Sequence, residues 1–138
     1  MREDRSETPL VAKLGIKPDY EIVVYNEPRA YDQIVKHIPE GVRFASNPTA
    51  STSMVHIFAT HKNDLVRLLR LCLVRLNPEA SIWVSWPKKS SRVPTEVTED
   101  AVREIALPLG LVDIKVCAID EIWTALKLVT RKTKRRPV

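Results

Sequence analysis

Short apolar runs bounded by turn residues recur along the chain and predict β-strands. Runs rich in β-branched and aromatic residues stand at 21–25, 42–46, 54–59, 81–85, 112–118 and 124–130. Only residues 119–123 separate the last two runs, and a connection that short permits only an antiparallel hairpin.

Between the first two strands, apolar residues fall on one face of a helix. The pattern is i, i+3, i+4 and i+7, at Tyr31, Ile34, Val35 and Ile38. It predicts an amphipathic helix that ends at Pro39. His37 would then lie in the last turn, where a histidine interacts favourably with the helix dipole.

Two further helices are predicted downstream. Residues 63–76 form one, with Asn63 as its N-cap. This helix is apolar over most of its circumference, which indicates packing deep against a sheet or contact with a second subunit in a homo-oligomer. The last helix is predicted to begin after Thr98, with two acidic residues in its first turn, and to end near Gly110.

The alternation of strands and helices predicts a three-layer, Rossmann-like α/β domain over residues 10–130, with a mainly parallel sheet, helices on both faces and the C-terminal hairpin. One link is short. Only about seven residues join Ser46 to Met54, a span of at most ~25 Å, whereas a parallel crossover usually needs a dozen or more. The second strand is therefore antiparallel, irregular, or followed by a stretched loop without a helix.

The charge of the chain is concentrated at its end. The net charge is +5, and residues 131–138 hold five basic residues and no acid, so the 17 remaining basic residues balance the 17 acidic ones. This basic tail is expected to be solvated, with weak nucleic-acid contact as the alternative. Residues 1–9 are polar and expected to be mobile. With no signal peptide and no apolar run near 20 residues, a cytoplasmic location is the default prediction.

Cysteine, histidine and tryptophan residues give no catalytic or metal-binding pattern. Cys72 and Cys117 lie in apolar runs without CxxC spacing and are expected to be buried hydrophobes. His56 alternates with apolar residues inside a strand and is expected in the core. Trp83 and Trp123 are expected to pack in the core, and no His, Cys, Asp or Glu cluster has metal-ligand spacing.

Several segments carry a resemblance to known proteins. They are KLGIKP at 13–18, WVSWPK at 83–88, TED at 98–100, residues 107–117, and Trp123 with Leu126-Lys127. Through them, residues 10–130 resemble a family of short prokaryotic proteins catalogued only as a domain of unknown function. The order from Ser81 onward also resembles the C-terminal half of the S-adenosylmethionine-dependent methyltransferase fold. The resemblance implies a Rossmann-like fold and no activity.

The usual nucleotide-cofactor devices are missing from the sequence. A glycine-rich turn normally follows the first strand of such a fold, but Asn26-Glu27-Pro28-Arg29 stands there. An acidic residue for the ribose hydroxyls is expected after the second strand, where Ser46-Asn47-Pro48 stands instead. The sequence therefore indicates no cofactor.

Ligands in open α/β sheets bind outside the carboxyl ends of the strands. The predicted strands place these candidates there: Asn26, Glu27, Arg29, Thr60, His61, Lys62, Trp86, Lys88, Lys89, Ser90, Ser91, Arg92, Asp120 and Glu121. Within this set, Trp86 could stack on a base and Lys88 or Lys89 could meet a phosphate. The alternative is that Lys88 to Arg92 is a polar turn, as is common in loops of this kind.

Three functions follow from these patterns. The leading prediction is a non-catalytic accessory protein or a protein that binds a nucleotide or another anionic ligand, with the 88–92 loop and the basic tail meeting the anion. The first alternative is a divergent S-adenosylmethionine-dependent methyltransferase. The second is a protein–protein interaction module that acts through helix 63–76 or an edge strand.

Overall fold

A computed structural model describes residues 9–29 and 31–131 of the chain. Its helices are α1 (Leu10–Leu14), α2 (Tyr31–Ile34), α3 (Lys62–Arg75) and α4 (Glu99–Ala106), with 3₁₀ turns at Lys89–Ser91 and Leu107–Leu109. Its strands are β1 (Glu21–Tyr25), β2 (Arg43–Ala45), β3 (Met54–Phe58), β4 (Ser81–Pro87), β5 (Leu111–Ala118) and β6 (Trp123–Thr130). The predictions for the N-terminal segment and the basic tail lie outside the described residues, except at Pro9 and Arg131.

The six strands form one mixed sheet in the order β2-β1-β3-β4-β6-β5. The first four strands are parallel to one another, and β6 is antiparallel to both β4 and β5. The predicted Rossmann-like α/β fold and the predicted C-terminal hairpin are therefore confirmed.

The short link between β2 and β3 is a stretched loop without a helix. Strand β2 pairs in parallel with β1, and residues 46–53 then cross past β1 to start β3 on its other side. The N–H of Ser53 donates to the carbonyl of Glu21 at 2.8 Å, which fixes the end of this loop.

A doubly wound sheet has the order 3-2-1-4-5-6. The described residues form no strand beyond β2, so β2 is an edge and its Phe44 is 54% exposed.

Two apolar layers cover the sheet. On one side, here called the α3/α4 face, Leu65, Leu68, Leu69 and Cys72 of α3 are buried in a cluster with strand residues such as Val55 and Ile57. The apolar character of α3 thus reflects packing on the sheet, as one of the two alternatives predicted; an oligomer through this helix stays a prediction. On the opposite α1/α2 face, Leu14 and Tyr31 pack against Phe58 and Trp83.

Two helix predictions were wrong in detail. The first amphipathic helix is a single turn, Tyr31–Ile34, and His37 lies beyond it with a left-handed φ of 60°. The left-handed His37 ends the helical conformation before Ile38, where Pro39 disfavours it as well.

The predicted N-cap of α3 also differs. The helix begins at Lys62, with His61 and not Asn63 in the cap position. The N–H of Lys62 donates to Oε1 of Glu96 at 2.9 Å. A carboxylate from a distant segment therefore accepts from one of the free N–H groups at the start of the helix, where the sequence had predicted a cap from a local side chain.

Thr98 caps α4 as predicted, since its Oγ1 accepts from the N–H of Ala101 at 3.1 Å. We expect Thr98→Ala to lower the free energy of unfolding by about 1 kcal/mol, because one N-terminal donor loses its partner. Urea unfolding followed by circular dichroism measures this change. Thr98→Ser keeps the hydroxyl and should stay close to the wild type; an equal loss in both variants would contradict the capping role.

Candidate functional site

The carboxyl ends of β1 and β3 meet where the connections diverge to opposite faces of the sheet. Strand β1 leads to α2 on the α1/α2 face, whereas β3 leads to α3 on the α3/α4 face. Such a topological switch point leaves a crevice outside the strand ends, and ligands of open α/β sheets bind there.

Asn26 spans this crevice. Its backbone has a left-handed φ of 60°, a conformation that glycine adopts most readily and that asparagine tolerates. Its Nδ2 donates to the carbonyl of Phe58 at 3.0 Å and to Oδ2 of Asp64 at 2.8 Å. The residue at the turn where glycine was expected therefore ties the end of β1 to β3 and α3.

A cavity of about 470 Å³ lies beside this bridge. It is lined by His61, Asn63, Asp64, Arg67 and Glu96. Asp64 also accepts from Arg67 at 2.6 Å. The backbone N–H of Glu96 donates to the carbonyl of Thr60 at 2.8 Å, and this bond holds Glu96 in place. Of the sequence candidates, the structure brings Asn26 and His61 to this region.

Asp64 and Glu96 were missed by the sequence analysis. Asp64 lies in the first turn of α3, a position where acids are common for helix-dipole reasons. Glu96 belongs to the loop before α4, and no local pattern connects it with α3. The fold alone brings these two carboxyl groups to the same cavity.

The loop after β4 is a hydrogen-bonded turn. The hydroxyl of Ser91 donates to the carbonyl of Lys88 at 2.6 Å and accepts from the N–H of Val93 at 3.2 Å. Arg92 has a left-handed φ of 62°. Trp86 lines the cavity between this turn and α4, but it is only 6% exposed and packs in the α3/α4-face cluster, so little of its ring is available for base stacking.

A second cavity, of about 630 Å³, lies between this turn and the start of α4. Lys88 and Lys89 line it together with Glu99 and Asp100. Glu99 forms an ion pair with Arg103 at 2.6 Å. The cavity wall therefore carries both signs of charge, and its lining residues give no cationic excess for the anionic ligand that the sequence analysis predicted here.

The remaining candidates are dispersed. Glu27, Arg29, Lys62, Ser90 and Glu121 are exposed, and none of them lines either cavity. Asp120 accepts from the N–H groups of Ile122 and Trp123 at 2.9 and 2.8 Å, which makes it a structural residue of the β5–β6 turn.

A buried polar chain crosses the α1/α2 face. Nε2 of His56 lies 2.7 Å from Oγ of Ser85, and its Nδ1 lies 3.2 Å from the hydroxyl of Tyr31. The imidazole stacks on Phe58, with ring centroids 4.3 Å apart. Burial lowers the pKa of His56 to about 3, so the ring is neutral. His56 and Ser85 have no exposed surface, which confirms the core role predicted for this histidine.

Other sequence predictions concern the core and metal binding. Both cysteines are buried as predicted, and burial raises the pKa of Cys72 to about 12. Trp83 is fully buried, and Trp123 packs edge-on against Phe58 at 5.0 Å. Within residues 9–29 and 31–131, no group of three or more His, Cys, Asp or Glu side chains is placed to hold a metal ion. No helix in that part of the chain is long and apolar enough to cross a membrane.

Solved structures of methyltransferases resemble this fold. The mitomycin 7-O-methyltransferase MmcR matches with a TM-score of 0.62 and 13% identity over 80% of this chain and 49% of that one. A SAM-dependent methyltransferase from Aquifex aeolicus matches at 0.58 and 12% identity, over 88% and 87% of the two chains. The magnesium protoporphyrin IX methyltransferase of Synechocystis, with bound SAH, matches at 0.52 and 12% identity over 88% and 78%.

These identities are low, so the likeness is one of fold. The chain spans about half the length of MmcR. No protein-family model matches the sequence, and no curated protein matches it. The resemblance to a short prokaryotic family therefore stays a prediction, whereas the methyltransferase-like architecture is confirmed.

Proposed function

We propose that this chain is a divergent protein of the S-adenosylmethionine-dependent methyltransferase fold that binds an S-adenosyl ligand in the switch-point crevice. The observation that carries the proposal is the cavity of about 470 Å³ beside Asp64 and Glu96, at the place where α/β sheets bind ligands. The Synechocystis structure that shares the fold holds SAH.

The chemistry of the lining supports this ligand class. Glu96 carries carboxylate oxygens suited to ribose hydroxyls or to the ammonium group of S-adenosylmethionine, whereas the charge of Asp64 is paired with Arg67. His61 lies at the same cavity and is the group that would take a proton from a methyl acceptor.

Asn26 limits access to this crevice. Its amide lies across the gap between β1 and α3, where the backbone of a glycine turn would leave room for the ligand. The ligand therefore binds weakly unless this side chain swings away from Asp64.

Replacing the bridge tests the proposal. We expect Asn26→Gly to raise the affinity for SAH by about tenfold, because the variant removes the obstructing amide and places glycine at a left-handed position that costs it nothing. Isothermal titration calorimetry measures the affinity. His37→Gly is the matched control, since it also puts glycine at a left-handed φ of 60° but far from the crevice, and it should bind as the wild type does.

A second candidate function follows from the same bridge. If neither the wild type nor Asn26→Gly binds SAH or S-adenosylmethionine at millimolar ligand, the cofactor proposal fails. The Asn26 bridge then favours a non-catalytic accessory protein in which the hydrogen bonds of the Asn26 side chain keep the crevice closed. A native mass spectrum of gently purified protein separates the two at the outset, since a retained S-adenosyl compound supports the first.

A further inference from the structure

Four lysines gather on the α1/α2 face, away from the crevice. Lys13 and Lys17 flank Gly15, which ends α1 with a left-handed φ of 78°. Lys115 on β5 and Lys127 on β6 are direct partners in the sheet register. Three separate segments singled out by the sequence analysis thus meet at one place, here called the lysine cluster.

Contacts hold these lysines close to the Gly15 turn. Nζ of Lys115 donates to the carbonyl of Lys13 at 3.1 Å. Nζ of Lys127 lies 6.0 Å from the ring centroid of Trp83. A Cβ placed on Gly15 would stand 3.8 Å from the same Nζ. Gly15 therefore lies next to the ammonium group of Lys127.

The lysine cluster is not neutralised by the described part of the chain. Within residues 9–29 and 31–131, the basic partners of the ion pairs are Arg43, Arg67 and Arg103, and none of these four lysines takes part. Like charges placed directly opposite each other in an antiparallel pair destabilise a sheet. Burial lowers the pKa of Lys127, and Lys115 and Lys17 lower it further, in keeping with a crowded cationic site.

We propose that the lysine cluster binds a small, multivalent phosphate ligand. Ammonium groups are strong point-charge partners for phosphate. Their convergence on one turn favours a compact ligand over a nucleic-acid backbone. An anion bound here would also relieve the repulsion between Lys115 and Lys127.

This site is independent of the proposed cofactor crevice. Lys127 pairs with Trp83 near the start of β4, whereas the crevice lies at the carboxyl ends of β1 and β3. S-adenosyl compounds carry no phosphate group. Binding of SAH and binding of phosphate compounds can therefore fail separately.

The experiment is a calorimetric titration of the whole chain with tripolyphosphate at low salt. We expect saturable binding to the wild type and a loss of affinity of about tenfold or more in the variant Lys115→Gln with Lys127→Gln, because two charge-assisted contacts disappear. A matched control, Lys36→Gln with Arg70→Gln, removes the same charge from exposed positions elsewhere and should bind as the wild type does. Titration with SAH should be unchanged in both variants.

A second measurement does not depend on the double variant folding. Tripolyphosphate is expected to raise the melting temperature of the wild type, because a ligand that binds only the folded state stabilises it, and to raise that of Lys115→Gln by less. The proposal is overturned if the wild type does not bind tripolyphosphate, if the control loses as much affinity, or if tripolyphosphate stabilises Lys115→Gln as much as the wild type. Tighter binding to a single-stranded oligonucleotide, growing with its length, would also overturn the assignment of a small ligand.

Discussion

Lowering the pH from about 7 to about 5 is expected to reduce the free energy of unfolding by about 2 kcal/mol through His56 alone. The buried imidazole has a pKa of about 3 in the fold, against an ordinary value of 6.5 in the unfolded chain. Between these values the unfolded state binds the proton and the folded state does not. The contribution of His56 is therefore complete above pH 6.5 and is lost as the pH falls toward 3.

Urea unfolding at both pH values, followed by circular dichroism, measures this difference. His56→Gln removes the titrating ring, so the difference between the two pH values should shrink by about 2 kcal/mol, whatever the variant loses at neutral pH. His61→Gln is the matched control, because it replaces an exposed histidine outside the core with the same residue. An unchanged pH dependence in His56→Gln would mean that His56 is not held neutral by burial.

Trp83→Ala is expected to lower the free energy of unfolding by about 3–5 kcal/mol, the range for losing a large aromatic side chain from a packed core. Trp83 is fully buried at the centre of the α1/α2-face cluster. Its indole N–H donates to the carbonyl of Leu14 at 3.0 Å and so ties the short helix α1 to the sheet. The loss would take a large part of the stability of an ordinary small domain.

Trp83→Phe separates packing from hydrogen bonding in the same unfolding experiment. Phenylalanine keeps an aromatic ring in the core but leaves the Leu14 carbonyl without its indole donor, which costs about 1–3 kcal/mol. A loss of less than about 1 kcal/mol in Trp83→Ala would show that the site collapses around the cavity and that α1 contributes little.

The strands were predictable because their signals are local. Each strand is a short apolar run closed by turn residues, and the β5–β6 connection is too short for anything but a hairpin. The cap at Thr98 and the left-handed Gly110 are likewise set by neighbouring residues. The amphipathic pattern from Tyr31 to Ile38 was less reliable, since periodicity records which side chains are apolar and not how many turns can form before Pro39.

The sequence predicted where the candidate site lies, but not all of the residues that form it. The rule that ligands meet the carboxyl ends of parallel strands points to Asn26 and His61, and the structure puts both beside the switch point. The same rule favoured Trp86, but this ring turned out to be buried under the next helix. Exposure depends on what covers a residue, and the sequence around Trp86 does not encode that.

The sequence by itself determined the fold class, the strands, the hairpin and the cap of α4, since each rests on residues within a few positions of one another. The tertiary structure decided that residues 46–53 form a crossing loop, that Asn26 bonds to α3 and that Glu96 reaches α3. It also decided that Lys13 and Lys115, separated by 102 residues, are joined by a hydrogen bond. These features depend on distances between remote segments, and only packing of the sheet and its two apolar layers sets those distances.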